Sequence, residues 1–257
     1  NEDYMPYFHS LKKNCVTGYT YASIVGGQTA NTEFELLTGN TLGFLSAGTT
    51  AFQLYIHGQM PSLVSNLKAE GYSGNKAMHP FNPYNYNRPA VYKDFGFTDF
   101  IDKFDFPKNV KRVREYISDE ANVDRIISEY EKNRKKTDQP FYMYNMTIQN
   151  HSPYDKDAAN FKQPIKIESS KYDAEANRYL NLIKYSDDSL KQLTSYFEKC
   201  KEPTIILFLG DHQPRLTDEF MNKITNGQYQ TWSSEQMMKR YQVPFVIWAN
   251  YDIKEQH

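Results

Sequence analysis

The run Thr204–Leu209 constrains the fold more than any other feature of this chain. It reads Thr-Ile-Ile-Leu-Phe-Leu and is followed at once by Gly-Asp-His at 210–212. A short, continuous apolar run is typical of a strand that is covered on both faces, as in a parallel sheet flanked by helices. We therefore expect an α/β fold, with polar chemistry beginning where this strand ends.

Strand and helix patterns alternate along the rest of the chain. This alternation predicts a mostly parallel central sheet sandwiched by helices. In such sheets ligands collect beyond the carboxyl ends of the strands, so polar residues that directly follow a strand are the first candidates for a site. The predicted strands are Thr17–Val25, Phe141–Ile148, Thr204–Leu209 and Val243–Trp248, and the predicted helices are Thr32–Leu37, Pro61–Glu70 and Ala174–Lys199.

Length and composition limit the class of protein. A chain of 257 residues suits one large domain over 1–257, and a formal net charge of -1 excludes a broad basic surface for nucleic acid. Cys15 and Cys200 lack metal-ligand spacing, so we expect two free, buried thiols, with a single disulfide as the alternative. No run approaches the roughly 20 apolar residues of a membrane span, and no signal peptide is evident, so the chain as given is expected to be soluble.

Two regions carry weaker patterns. Gly74–Phe106 is rich in Asn, Pro, Tyr and Phe with little periodicity, and we predict a long functional loop. Lys108–Lys136 is dense in charge and has apolar residues at helical spacing, among them Val113 and Ile117. It is predicted to form solvated surface helices.

The segment Tyr21–Gly39 predicts a strand, a diglycine turn and a helix whose first residues include a hydroxyl, Thr29. A helix N-terminus presents unpaired N–H groups and the positive end of a dipole, so Thr29 would face a docked phosphate or sulfate as a nucleophile. The alternative is that these residues only cap the helix, since Thr32 and Glu35 fit a capping box.

Gly210-Asp-His212 places a carboxylate and an imidazole at the end of the buried strand. Together they suit Mn²⁺ or Zn²⁺ better than Ca²⁺ or Mg²⁺, which prefer oxygen ligands. A metal bound to Asp211 and His212 could also bind the Thr29 hydroxyl and lower its pKa, which would activate an otherwise feeble nucleophile. The alternative is a capped turn without a metal.

Further candidates are His79, Tyr86 and Arg88, within Met78–Arg88, and His151, which follows a predicted strand. Arginine binds phosphate through parallel hydrogen bonds, and histidine donates to an oxygen or transfers a proton. Taken one at a time, each of these residues is more often structural.

These motifs, in this order and over nearly the whole chain, resemble the lipoteichoic acid synthase family of sulfatase-like phosphoglycerol transferases, in the alkaline phosphatase superfamily. Gly27-Gln-Thr-Ala-Asn-Thr-Glu-Phe34 is similar to the family's nucleophile motif, and Gly210-Asp-His212 to its metal motif. The resemblance implies Thr29 as the catalytic, metal-coordinating residue and Asp211 and His212 as further ligands, with Mn²⁺ the implied metal and Zn²⁺ or Mg²⁺ the alternatives.

The resemblance also implies a substrate pocket of His79, Tyr86, Arg88 and His151. Tyr86 stands where members often have Trp, and Arg215-Leu216 stand where some have a serine after the Asp-His pair. Members also have an apolar strand that ends in a Glu ligand just before the segment with which this chain begins. We therefore expect a fragment, lacking that strand and its C-terminal end, of a bacterial cell-membrane protein with amino-terminal membrane helices and an extracellular catalytic domain.

The implied activity is transfer of glycerol phosphate from a phosphatidylglycerol-like lipid to a glycerol or glycan hydroxyl in cell-envelope polymer synthesis. The alternatives are a phosphoethanolamine transferase or a sulfatase-like hydrolase of the same superfamily, and a noncatalytic sensor domain that binds glycans or anions. Sulfatases usually need Cys or Ser in a Cys/Ser-x-Pro-x-Arg context, which Thr29-Ala-Asn31 does not provide. The absent Glu strand gives the sensor alternative more weight for this chain than for the whole protein.

Overall fold

A computed structural model describes residues 4–167, 173–225, 227–228 and 231–257. The chain divides into two compact units: unit 1 contains Asn1–Gly27 and Gln149–His257, and unit 2 contains Gln28–Ile148. In chain order the helices are α1 Pro6–Ser10, α2 Thr29–Thr38, α3 Ala51–Leu54, α4 Leu63–Ala69, α5 Arg88–Phe95, α6 Asp119–Arg134, α7 Asp173–Phe197, α8 Asp218–Thr225 and α9 Ser234–Met238. The strands are β1 Cys15–Tyr21, β2 Ser73–Met78, β3 Asp99–Ile101, β4 Arg112–Val113, β5 Tyr116–Ile117, β6 Phe141–Asn145, β7 Ile205–Leu209 and β8 Gln242–Ala249.

Unit 2 is built on a parallel sheet in the order β3-β2-β6. Met78 pairs with both Ile101 and Asn145, so the carboxyl ends of the three strands lie at one edge of this sheet. Its core is aromatic and aliphatic, and Phe52 and Tyr92 are among its fully buried side chains. The register brings the residues that follow β2 and β6 together, which positions His79.

Unit 1 contains an antiparallel sheet in the order β1-β8-β7. Helix α1 is attached to α7 through Asp187, whose buried carboxylate accepts hydrogen bonds from the backbone N–H groups of Tyr7 (3.0 Å) and Phe8 (2.8 Å). These N–H groups belong to the first turn of a helix, where no backbone acceptor is available. One buried carboxylate therefore caps α1 from a distant part of the sequence.

The predicted strands and helices are present with shifted ends, but two regional predictions were wrong. Within 74–106 the chain forms most of β2, then α5 and β3, rather than one long loop. Val113 and Ile117 lie in the β4-β5 hairpin, and helix α6 begins only at Asp119. In β2 the side chain of Lys76 pairs with Asp99 (3.1 Å) and Glu129 (2.7 Å), so tertiary ion pairs stabilise a strand whose sequence is not strand-like.

The expectation that both faces of the strand at Thr204–Leu209 are covered was also wrong. Ile205 is 60% exposed and Leu207 is 46% exposed, both on one face of β7. An apolar pattern indicates that a strand is suited to burial, but it does not determine what covers it. Cys15 and Cys200 are free thiols as predicted, although only Cys15 is buried. Among the described helices, none combines the length and the apolar composition that crossing a membrane requires.

Candidate functional site

The turn between β1 and α2 has an uncommon backbone that glycine makes accessible. Gly26, Gly27 and Gln28 all have positive φ, at 74°, 157° and 62°. Gly26 is further restricted by space, because a Cβ there would lie 2.8 Å from Cβ of Arg215. The positive φ of Gly26 and the close approach of Arg215 therefore both require glycine at this position.

Thr29 is the first residue of α2 and is half-buried. The residue that precedes it, Gln28, makes no side-chain capping bond. The capping-box alternative is excluded by the helix boundary, because Thr32 lies inside α2 and the Glu35 carboxylate accepts from the N–H of Leu42 (2.9 Å) instead. The N-terminus of a ten-residue helix therefore begins with the hydroxyl residue that the sequence predicts as a nucleophile.

The Asp211-His212 turn in unit 1 is attached to the segment that leads into the glycine turn. Val25 forms a parallel bridge with Gln213, and the backbone carbonyl of Gln213 accepts from Gly26 N–H at 2.8 Å. The same carbonyl lies 2.9 Å from Nδ1 of His212. One carbonyl oxygen thus fixes both the diglycine turn and the imidazole of the predicted metal ligand.

The donor set of this turn fits a divalent cation. Nε2 of His212 lies 3.2 Å from Oδ2 of Asp211. A carbonyl can only accept, so Nδ1 of His212 donates to Gln213, and in a neutral imidazole Nε2 then carries a lone pair that faces the carboxylate. Two acceptors that face each other are stabilised by a proton or a cation between them. When a cation lies about 2.0–2.2 Å from each of its ligand atoms, neighbouring ligand atoms lie about 3 Å apart, close to the 3.2 Å seen here.

Two other predicted site histidines have the same orientation as His212. Nδ1 of His79 lies 3.0 Å from the carbonyl of Met146, and Nδ1 of His151 lies 2.6 Å from that of Ser152. Each backbone carbonyl assigns the proton of the neutral ring to Nδ1, which leaves Nε2 as the basic nitrogen. His79 is buried and His151 is exposed.

Arg88 forms a buried ion pair that the sequence did not predict. Its side chain is only 2% exposed, and Nη2 and Nε lie 2.5 and 3.1 Å from Oε1 of the fully buried Glu33. Nη1 donates to the carbonyl of Asn85 at 3.3 Å. A guanidinium has five N–H donors, so these three contacts do not exclude a phosphate ligand, and phosphate binding by Arg88 stays a prediction.

Tyr86 covers this ion pair. The guanidinium carbon of Arg88 lies 5.1 Å from the centroid of the Tyr86 ring, a cation–π contact. Tyr86 has a φ of 60° and Asn87 a φ of 57°. A positive φ is rare for a residue with a bulky side chain such as tyrosine. The strained backbone holds the ring above Arg88, and the ring remains half-buried.

Glu33 and Tyr92 were missed as site-supporting residues. The hydroxyl of Tyr92 donates to Glu33, and burial together with the charge of Glu33 raises the pKa of Tyr92 well above its ordinary value. Burial alone would lower the pKa of Arg88, but the nearby Glu33 outweighs this and raises it. A sequence signal existed for Glu33, since it lies in the Gly27–Phe34 motif and on the same helix as Thr29.

The predicted site residues belong to both units. Thr29, His79, Tyr86 and Arg88 are in unit 2, and His151, Asp211 and His212 are in unit 1. Within the part of the chain that the structure describes, no group of three or more His, Cys, Asp and Glu side chains could hold a metal ion.

Comparison with solved structures supports the fold. The phosphoglycerol transferase GacH of Streptococcus pyogenes, solved with sn-glycerol-1-phosphate, aligns with a TM-score of 0.78 at 21% identity, over 99% of this chain and 63% of that one. The predicted fold class, an α/β fold of the alkaline phosphatase and sulfatase type, is confirmed.

Curated relatives match along the same region. A Rhizobium meliloti protein with a provisional name as a cyclic beta-1,2-glucan modification protein is 34% identical over 241 residues, covering 91% of this chain and 36% of its own length. Lipoteichoic acid synthase of Staphylococcus aureus strain USA300 is 28% identical over 196 residues, covering 72% of this chain and 28% of its own. The chain thus spans about a third of the length of the curated relatives it matches. The profile of the Sulfatase family matches residues 1–257, and the chain belongs to that family.

Proposed function

We propose that this chain is the catalytic part of a metal-dependent phosphoglycerol transferase that uses Thr29 as its nucleophile. The observation that carries the proposal is the Gln213 carbonyl, which accepts from Gly26 N–H and from the His212 ring. Chain connectivity places Thr29 only three residues after Gly26. The glycine turn that precedes the proposed nucleophile and the turn with the proposed metal ligands are therefore hydrogen-bonded to each other within unit 1.

Thr29, Asp211 and His212 are the residues that would hold the metal. A bound divalent cation, with Mn²⁺ as our first choice and Zn²⁺ or Mg²⁺ as alternatives, would lower the pKa of the threonine hydroxyl and neutralise charge on the phosphate. Asp211 supplies an anionic oxygen, and the Gln213 carbonyl orients His212 so that Nε2 can act as a ligand.

The donor we propose is an anionic lipid of the phosphatidylglycerol type. In the first step the Thr29 hydroxyl oxygen bonds to phosphorus, the bond from phosphorus to the diacylglycerol oxygen breaks, and that oxygen takes up a proton. In this step Thr29 gives up its hydroxyl proton. In the second step an acceptor hydroxyl oxygen bonds to phosphorus and loses its proton, the bond from the Thr29 oxygen to phosphorus breaks, and the Thr29 oxygen takes up a proton again. The N-terminal N–H groups of α2 would stabilise the phosphate anion.

The remaining candidates have separate roles in this proposal. His79 and His151, each with Nε2 as the basic nitrogen, would bind phosphate oxygens or carry protons. Tyr86 would contact the glycerol group. Arg88 would take part in binding the phosphate group, and its cation–π contact would also hold the Tyr86 ring in place.

A glycan hydroxyl is the acceptor that the comparisons favour. The 34%-identical relative is named for modification of a cyclic glucan, and GacH is named a phosphoglycerol transferase. A glycerol-phosphate chain is the other acceptor, as in relatives named lipoteichoic acid synthase. We also propose that the reaction takes place at a bacterial cell membrane, with the catalytic part on the extracellular side.

The test is release of diacylglycerol from phosphatidylglycerol with Mn²⁺, measured by mass spectrometry together with the transferred group. Thr29→Ala should abolish release, whereas Thr38→Ala, the same change at the other end of α2, should retain it. Trapped phosphoglycerol on Thr29 would support the proposal. Equal turnover by Thr29→Ala would refute it, phosphoethanolamine transfer would favour that transferase class, and anion or glycan binding without turnover would favour a sensor.

A further inference from the structure

Unit 1 contains an apolar cavity of about 580 Å³ that has no role in the residue assignments above. This volume lies within the range of about 300–1,000 Å³ that is typical of small-molecule sites. Val25 and Tyr179 line it, and the side of α7 that carries Ala176 forms part of its wall. Helix α8 supplies Phe220 and Met221 to another part of the lining.

The cavity adjoins the Asp211-His212 turn. Gln213 lines it, and its carbonyl is the one that accepts from His212. Burial raises the pKa of the Tyr179 hydroxyl. The neighbouring Tyr154 and the charge of Asp211 raise this pKa further, with Tyr154 the larger of the two effects. Because Gln213 directly follows His212 in the chain, the cavity lies beside this turn.

Two cationic side chains, Lys223 and Arg240, also line this apolar cavity. Ile224, next to Lys223 on α8, is 58% exposed and belongs to the lining as well. Long cationic side chains pack their carbon stems along apolar surface while the charged ends reach toward water or an anion. Apolar walls with cations therefore suit an amphiphile that has a hydrocarbon chain and an anionic head.

We propose that this cavity binds one acyl chain of the anionic phospholipid donor, with Lys223 and Arg240 facing its phosphate side. Naming that lipid as a donor rests on the proposed function, but the existence of the lipid site does not. The position of the cavity beside the Asp211-His212 turn would hold the phosphodiester near the predicted metal ligands. Each buried CH₂ group is expected to improve affinity about fourfold.

A chain-length series tests this directly. Calorimetry would measure Kd for dibutanoyl- and dihexanoyl-phosphatidylglycerol, both below their micelle concentrations. If one chain enters the cavity, the two extra CH₂ groups should strengthen binding about tenfold or more. Equal Kd values for the two lipids would overturn the proposal.

Matched variants locate the binding site on α7. Ala176→Phe fills the cavity and should remove most of the chain-length gain, whereas Ala174→Phe, the same change at an exposed position of the same helix, should keep it. Lys223→Gln with Arg240→Gln tests the cationic side, and should weaken binding of both lipids by a similar factor. Circular dichroism would verify that each variant is folded, and a gain that persists in a folded Ala176→Phe protein would overturn the proposal.

Thr29→Ala separates this inference from the proposed function. The variant should retain the chain-length gain, since Thr29 does not line the cavity. Wild-type protein that shows the gain but releases no diacylglycerol would refute the transferase and support the lipid site. Protein that releases diacylglycerol at rates independent of chain length, and that shows no chain-length gain in binding, would support the transferase and refute the lipid site.

Discussion

The guanidinium of Arg88 and the carboxylate of Glu33 form an ion pair in the interior of unit 2, with Nη2 and Oε1 2.5 Å apart. Glu33 is completely buried, and Tyr92 donates a further hydrogen bond to it. Breaking a buried pair from one side leaves an uncompensated charge. The pair therefore ties α5 to α2, the helix that begins with Thr29.

Glu33→Gln should destabilise the protein by about 3–5 kcal/mol, because Arg88 would remain buried without its counter-charge. Urea unfolding monitored by circular dichroism would measure this. Glu35→Gln, two residues along the same helix and only half-buried, is the matched control and should cost less than about 1 kcal/mol. Similar costs for the two variants would contradict a buried, uncompensated Arg88.

Gly26→Ala should disrupt the glycine turn before Thr29 for two reasons. Alanine at a φ of 74° is strained, and its Cβ would meet Cβ of Arg215 at 2.8 Å. Gly48 has a similar φ of 78°, but a Cβ added there would have no neighbour within 4 Å. Gly48→Ala therefore measures the backbone strain alone, about 1–2 kcal/mol. Thermal unfolding should show a larger loss for Gly26→Ala, and equal losses would show that the close approach to Arg215 is unimportant.

Removal of a predicted metal ligand should weaken metal binding. His212→Gln and Asp211→Asn are each expected to reduce Mn²⁺ affinity at least about tenfold, because each removes a donor of the 3.2 Å pair. Calorimetric titration with Mn²⁺ and with Zn²⁺ would measure this and compare the two metals. His57→Gln, at an exposed histidine of unit 2, should leave the affinity unchanged. Unchanged affinity in both ligand variants would exclude this turn as a metal site.

Glu129 should contribute a pH-dependent part of the stability. Burial would raise its pKa, but hydrogen bonds from Lys76 and Lys132 and the nearby charges outweigh this and lower the pKa from 4.5 to about 2. A carboxyl group whose pKa is lower in the folded state than in the unfolded state stabilises the folded protein at pH values above its unfolded-state pKa. For Glu129 this contribution is lost as the pH falls from about 4.5 to about 2.

Glu129→Gln should therefore be less stable than wild type at pH 6, with the difference shrinking as the pH approaches 2. Thermal unfolding across this range would measure the difference. Glu131→Gln, on the same helix α6, provides a background for general charge effects. A constant difference between Glu129→Gln and wild type at all pH values would contradict the depressed pKa.

The sequence alone determined the features that depend on local pattern. The strand before Asp211, the long helix α7 and the glycine turn before Thr29 each depend on consecutive residues. Strand and helix periodicity and the demand for positive φ are local properties. Helix α5 also had local signals that the sequence prediction missed, with Pro89 in its first turn and Gly96 at its end.

Only the tertiary structure decided which partners these residues have. Arg88 is predicted to contact the substrate, and only the fold shows that it also pairs with Glu33, 55 positions away. Gly26 and His212 are joined through Gln213, and no sequence spacing encodes that contact. Burial and ion pairing depend on what lies across space from a side chain, so chain order can identify chemically capable residues but not where their charges are neutralised.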